Sequence, residues 1–342
     1  MLSNPHQTLD YLEAVEFYFD QGLTDGLPVV PPTPDRVAEF LDCVNLRPAD
    51  VIGVVPVGAI PITAEKVAVN AVMAGCLPDY MPVIVAGIEA MIDDEFSLNA
   101  TAASTSGASH MLAVGGKVVD ELAINCGVNM FGPGARANAT IGRAIRLVLM
   151  NVCGALPGVL DKSTLGNPGK FTSCIAEDES LTPWPPLRCD YGVPQSQDAV
   201  TALACYAPVQ VSDHRSGSAE EALTRIADAI VAYPYYARGC EIMVVLVPEH
   251  LDHVLRAGWT KKEVQRFLHQ ATQRPMDYWR ARPDSGKNDF REGMGLSGVT
   301  PTPDDFLIVP AGGSAGGFSA FLVSWGSEVD YSRSVTRPIR SP

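Results

Sequence analysis

The chain has 342 residues, 46% of them apolar and 19% charged, and a net charge of −14. This composition buries a substantial core and excludes a disordered chain, while the length exceeds what one hydrophobic core usually reaches and predicts two domains. Lys and Arg are scattered, which excludes the basic footprint of a nucleic-acid binder, and the acid excess opposes anionic lipid surfaces.

The N-terminal text carries acids where a signal peptide would carry basic and then apolar residues, so a cytoplasmic protein is expected. Leu9, Leu12, Val15 and Phe19 recur near helical spacing and predict an amphipathic helix over 8–21. Prolines at 28, 31 and 32 force the next segment to be extended, and Thr33 before Pro34 then reads as the cap of a helix over 34–42. Val51–Val57 reads as a strand, and Thr63 caps a helix that stops at Gly75. A helix is predicted from Val83 to Ile92, followed by a small-residue loop, Asn99 to Ser109, and a short strand, Met111–Val114. Lys117–Ile124 reads as a helix, and after a glycine-rich connection Asn138 is the expected N-cap of a long helix, Ala139–Val152. The text from Leu160 to Leu187 is rich in Gly and Pro, with one strand, Phe171–Ile175, placed within it.

In the second half, strands are predicted at Val200–Ala204, near Val209, at Cys240–Val247, at Asp305–Pro310 and at Phe318–Trp325. Capping-box text at Ser218 to Glu221 and at Thr260 to Glu263 opens two helices, and Pro248 opens a third that runs to Arg256. Strands alternating with helices predict an α/β fold: two α/β parts, 1–190 and 191–342, with mixed sheets flanked by helices.

Four features could carry chemistry. Gly132-Pro133-Gly134-Ala135-Arg136 leads into the helix headed by Asn138 and bearing Arg143 and Arg146; unpaired amides, a positive dipole end and arginines together suit a carboxylate or phosphate. The second is Gly312-Gly313-Ser314 and the glycines after it, which follow a buried strand where ligands sit in open α/β sheets. Lys170 is delivered by the Gly-Pro loop before it, as a cation for substrate or, if desolvated, a base. Last come the thiols Cys126 and Cys76, with His110 as an acid/base candidate at the end of the hydroxyl-rich loop. The eight cysteines include no Cys-x-x-Cys pair, and most are expected to be reduced and several buried. Neither a Walker pattern nor a dinucleotide fingerprint is present, so no nucleotide cofactor is indicated. His250 and His253 share a helical face without a third ligand, and no metal is expected there.

Asp25-Gly26-Leu27-Pro28-Val29-Val30-Pro31-Pro32-Thr33, the run from Val69 to Cys76, and Gly132 to Arg146 resemble a bacterial family described as thioredoxin-like and associated with selenoproteins bearing a Sec-Gly-Ser-Cys (UGSC) motif. The resemblance implies cytoplasmic, thiol-associated chemistry. This chain lacks Cys-Gly-Ser-Cys, with Arg238-Gly239-Cys240 and Ala74-Gly75-Cys76 the nearest text, and that departure puts in doubt a disulfide cycle, which needs a resolving thiol close to the attacking one.

The expectation is an enzyme acting on a small anionic or polar molecule in a cleft between the two halves, by thiol redox or by acid/base lyase or hydrolase chemistry. Lys170 and the loop 312–317 are expected to face that cleft together. The alternative is a small-anion-binding or assembly subunit, and an oligomer is compatible with either.

Overall fold

A period of two along the strands decides the architecture, because alternate side chains are apolar on both faces of each sheet. The computed structural model describes residues 10–233, 240–281, 296–327 and 330–340. Its strands in chain order are β1 (Val51–Val55), β2 (Ile60–Thr63), β3 (Ser109–Gly115), β4 (Cys174–Ala176), β5 (Ala199–Cys205), β6 (Val209–Ser212), β7 (Ile242–Leu246), β8 (Arg274–Pro275), β9 (Leu296–Ser297), β10 (Phe306–Pro310), β11 (Phe318–Val323) and β12 (Val335–Pro338). One four-stranded sheet has the order β12-β5-β3-β4 and another β10-β7-β11-β6; β1 with β2 and β8 with β9 form small antiparallel pairs. Both large sheets are mixed: β3 runs parallel to β4 and antiparallel to β5, and β7 runs parallel to β10 and antiparallel to β11.

Leu112 and Val114 of β3, with Val200, Ala202 and Ala204 of β5, pack under the helices Ala64–Ala74, Met81–Met91 and Arg136–Asn151. Ile242, Val244 and Leu246 of β7 pack under Ala219–Ala232, Pro248–Arg256 and Lys261–Ala271. The intervening residues, Met111, Ala113, Leu203, Met243, Val245, Leu307 and Leu322, form a third core between the sheets. The molecule is therefore an α/β fold in four layers, with helices on the outer face of each sheet and sheet packed on sheet inside. Helices on both faces of one sheet, the usual outcome of alternating elements, do not occur here because the inner apolar face of each large sheet is covered by the other sheet.

The expected division at 190/191 cuts through a sheet. β5 and β12 follow it in sequence, yet β5 pairs with β3 from Ser109↔Cys205 to Gly115↔Ala199 and β12 pairs with β5. Without them β3 would present a bare edge of backbone donors and acceptors. The parts 1–190 and 191–342 are thus interlocked.

Local differences have local causes. The loop expected from Asn99 begins as a helix, Leu98–Ala103, because Leu98, Thr101 and Ala102 are buried. The strand expected at Phe171 starts later, at Cys174, because Asn167 caps a 3-10 turn over Pro168–Lys170. Ser218 and Thr260 both cap their helices, and at Thr260 the full reciprocal box forms with Glu263. Thr260→Ala is expected to cost about 1 kcal/mol in chemical denaturation and Thr260→Ser much less; equal loss from both would show that the methyl, not the hydroxyl, matters. Among the described residues no helix is long and apolar enough to cross a membrane.

Candidate functional site

Helix Arg136–Asn151 buries Ile141, Ile145 and Leu149 against the first sheet and carries Arg146, 9% exposed, at its flank. The loop that follows folds back beside it and inserts Asp161, 6% exposed, where three groups converge. Asp161 Oδ2 accepts from Arg146 Nη2 at 3.0 Å and from Lys170 Nζ at 2.7 Å, while Oδ1 accepts from Ser163 Oγ at 2.6 Å and Ser163 N at 3.1 Å. Lys170 Nζ also lies 2.5 Å from Ser163 Oγ.

The backbone that delivers these side chains is fixed by polar ties. Asn167 Oδ1 accepts from Gly169 N at 2.7 Å, and its Nδ2 donates to Gly107 O at 2.7 Å, so one side chain shapes the turn before Lys170 and pins it to the loop before β3. Thr164 N donates to Thr105 O at 2.9 Å on the same seam. Beside the cluster opens a cavity of about 520 Å³, lined by Asp25, Arg146, Asp161, Ser163 and Lys170, with Met150, Leu165 and Phe171 as apolar wall.

Charge in this pocket is unevenly matched. Burial by itself would raise the Asp161 carboxyl, but Lys170 and Ser163 together hold it well below the usual carboxylate range. Burial pulls the Lys170 ammonium below its ordinary value; Asp161 opposes the fall and Arg146 adds to it. One carboxylate therefore serves two cations.

His110 stands behind the pocket at the start of β3, with Nε2 at 2.9 Å from Thr101 Oγ1. The Thr101 hydroxyl donates its proton to Leu98 O at 3.0 Å, so the imidazole must donate from Nε2 and keeps Nδ1 as an acceptor. Burial, then the charges of Arg146 and Lys170, push His110 down to about 3. It is neutral at physiological pH. A small void of about 10 Å³, near the size that holds a single water, lies among His110, Gly142, Arg146, Gly169 and Lys170. The structure thus brings three of the residues named from the sequence, Lys170, His110 and Arg146, to one place.

The others lie elsewhere. Arg143 is turned to the N-terminal arm, where Asp25 takes its Nε and Nη2 at 2.8 and 2.7 Å and Pro28 O accepts at 2.9 Å. Arg136 gives both Nε and Nη2 to Gly75 O. Asn138 is not a cap: the helix begins at Arg136, and the buried Asn138 amide binds Asn125 N, Asn125 O and Cys174 O, tying the turn before the helix to β4. Gly132 and Gly134 belong to the turn that leads there, with Pro133 O accepting from Asn129 Nδ2. The anion site expected at that helix start thus has its two arginines already engaged.

Cys76 is buried and its thiol, donating to Thr140 O at 3.2 Å, is pushed up to about 12 by burial. Burial and then Asp178 push the Cys126 thiol up as well, whereas a reactive thiol is expected to be pulled down. The text Arg238-Gly239 falls outside the described residues; Cys240 beside it donates its thiol to Val299 O at 3.1 Å.

Gly312 N donates to Cys126 O at 2.7 Å, and Asp178 N, just past the end of β4, donates to Pro310 O at 2.9 Å. Lys170 enters β4 from its other end. The loop holding Gly312, Gly313 and Ser314 and the turn holding Lys170 therefore sit at opposite ends of that strand, and none of 312–317 lines the Lys170 cavity. The common cleft expected for them does not form, because β4 runs between them. His250 is a buried structural histidine, with Nδ1 on Ser319 Oγ and Nε2 on Asp213 O. Among the described residues no group of three or more His, Cys, Asp or Glu could hold a metal.

Sequence reasoning missed Asp161 and Ser163. The only signal was an acid and a hydroxyl inside the same Gly/Pro-rich loop as Lys170, and nothing in the text says that the loop closes on itself. No protein-family model matches the chain, and no curated protein is significantly similar to it in sequence.

Proposed function

We propose that this protein is an enzyme acting on a small anionic or polar molecule held in the cavity between helix Arg136–Asn151 and the loop 157–171, with Lys170 moving the proton. The observation that carries the reading is the shared carboxylate: Asp161 faces Arg146 and Lys170 together, leaving one positive charge for a ligand beside a cavity of small-molecule size. Arg146 cannot lose its proton and supplies the permanent charge; Lys170, whose ammonium is weakened by burial, is the group that titrates. Met150, Leu165 and Phe171 favour a ligand with an apolar body next to its anion. Acid/base lyase or hydrolase chemistry is favoured over thiol redox, since burial raises the thiols of Cys76 and Cys126. A cytoplasmic location agrees with eight cysteines that are all thiols.

Benzoate, a carboxylate on an apolar ring, tests the pocket. At a concentration ~100 times its dissociation constant it should stabilise the protein by about 2.7 kcal/mol in a thermal shift, and benzamide, which is neutral and nearly isosteric, should do far less. Arg146→Met should weaken benzoate at least tenfold while Arg146→Lys keeps most of the effect. Equal responses to benzoate and benzamide, or none to either, would sink the assignment.

A further inference from the structure

We infer that Ser163 is a nucleophile deprotonated by Lys170, so that the pocket performs acyl transfer from small esters or amides to water. The inference rests on the pocket assignment above and adds the reacting atom and the substrate class. Ser163 Oγ is 2.5 Å from Lys170 Nζ, within reach of direct proton transfer, and Ser163 itself lines the cavity of about 520 Å³. The base is oriented by a third group, Asp161 at 2.7 Å, which is itself held by Arg146 at 3.0 Å. Nucleophile, base and orienter thus form one chain of contacts.

A lysine is ordinarily charged and then has no lone pair to receive a proton. Every charged or titratable group facing this one bears on that. Burial and Arg146, from the long helix, disfavour the ammonium; Asp161, from the loop, favours it; His110, from β3, is neutral; Asp25, from the N-terminal arm, is already paired with Arg143. Arg146 has a second role. When Lys170 gives up its proton, the Asp161 carboxylate keeps a cation, so the buried acid is not stranded. In the charged state Lys170 donates to Ser163 Oγ and the serine proton goes to Asp161 Oδ1; in the neutral state the hydroxyl turns to the free Nζ lone pair.

The chemical step balances within these groups. Ser163 Oγ forms a bond to the acyl carbon as its proton passes to Nζ and the carbonyl π pair moves onto oxygen. That pair then returns, the bond from carbon to the leaving oxygen or nitrogen breaks, and the leaving group takes the proton from Nζ. Solvent water repeats the sequence on the acyl-serine: one of its protons passes through Nζ to Ser163 Oγ, restoring the hydroxyl, and the carboxylic acid released gives its remaining proton to solvent to become the carboxylate. The product is an anion of the type the pocket retains beside Arg146.

A fluorophosphonate probe on the full chain reads the nucleophile without knowledge of the substrate. One adduct per chain is expected on the peptide containing Ser163, with a rate that rises with pH until the Lys170 amine is free. Mapping the adduct on the parent protein needs no variant and is independent of folding defects. Lys170→Met should slow labelling on the order of 100-fold or more, and Lys170→Arg should slow it as much, because a guanidinium keeps the charge but cannot accept the proton. If Lys170→Arg labels as fast as the parent, the lysine only positions and the inference is wrong; an adduct at Ser104 or Ser106, or none, also overturns it. Should benzoate still bind while Ser163 stays unlabelled, the nucleophile falls and the pocket assignment stands. Failure of both removes both.

Discussion

Asp161→Ala is expected to cost roughly 3–5 kcal/mol of folding stability, because it leaves buried cations without their carboxylate. The Arg146 and Lys170 side chains are 10% and 14% exposed, so solvent screens them poorly, and Ser163 loses its acceptor in the same stroke. Asp161→Asn keeps the shape and some hydrogen bonds but not the charge, and it should lose most of the same amount. Urea denaturation at neutral pH measures both; a loss under 1 kcal/mol for the alanine variant would mean that the cluster is hydrated and only weakly coupled to folding.

The same carboxylate gives the stability a pH dependence whose sign follows from its shift. The folded-state value lies below the unfolded one, so the contribution is complete above the unfolded value of ~3.9 and is lost as pH falls below it toward the folded value. Lys170 is lowered too, and here the consequence is opposite in character: at neutral pH the folded state bears the cost of a charged, half-buried lysine, and that cost is relieved as pH rises toward the unfolded value of ~10.4. Acid should therefore weaken the parent more than Asp161→Asn. In that variant Lys170 loses the group that favours its charge, and its ammonium should fall further.

Much of the fold was legible because its signals are local. The helix from Pro248 ends at Arg256 as the text predicts, and Thr63, Ser218 and Thr260 each accept from the backbone of the first helical turn. What the text could not carry is destination. Met111 and Leu112 are equally apolar neighbours, yet one faces the second sheet and the other the helices, and only the pairing of β3 with β5 across the expected domain boundary decides it. The site divides in the same way. Lys170 and His110 stand out as residue types in loops, but Asp161 gains its meaning from Arg146, which approaches from a helix on another part of the chain. Arg143, three residues earlier, looks identical in sequence and is consumed by Asp25. The glycines misled for a related reason: a glycine that admits a ligand and one that admits another strand read alike.

Gly317→Ala, the second large effect expected, separates those two roles. An added Cβ would lie 1.9 Å from Asp213 O and 2.7 Å from His250 Nε2, and the first of these is backbone that cannot turn aside. Asp213 is held on both sides, its N donating to Gly317 O at 2.8 Å and its O accepting from His250 Nε2 at 2.9 Å. His250 is held in turn: its Nδ1 accepts from Ser319 Oγ at 2.7 Å, and that oxygen accepts from Val247 N at 3.2 Å. To admit the methyl, the start of β11 must move off β6, where Phe318 pairs with Ser212, and the buried imidazole loses an acceptor. Overpacking of this kind costs about 1–3 kcal/mol and an unsatisfied buried donor a similar amount, so a total of roughly 3 kcal/mol or more is expected. Gly313 offers the contrast. Its added Cβ would meet Val128 Cγ2 at 2.8 Å, which can turn aside because Val128 is 73% exposed, and Val128 Cα at 3.2 Å, which has to give by only a few tenths of an ångström, so Gly313→Ala should cost about 1 kcal/mol, well short of Gly317→Ala. If instead Gly317→Ala unfolds at the urea concentration of the parent, the close packing of this glycine against Asp213 is dispensable.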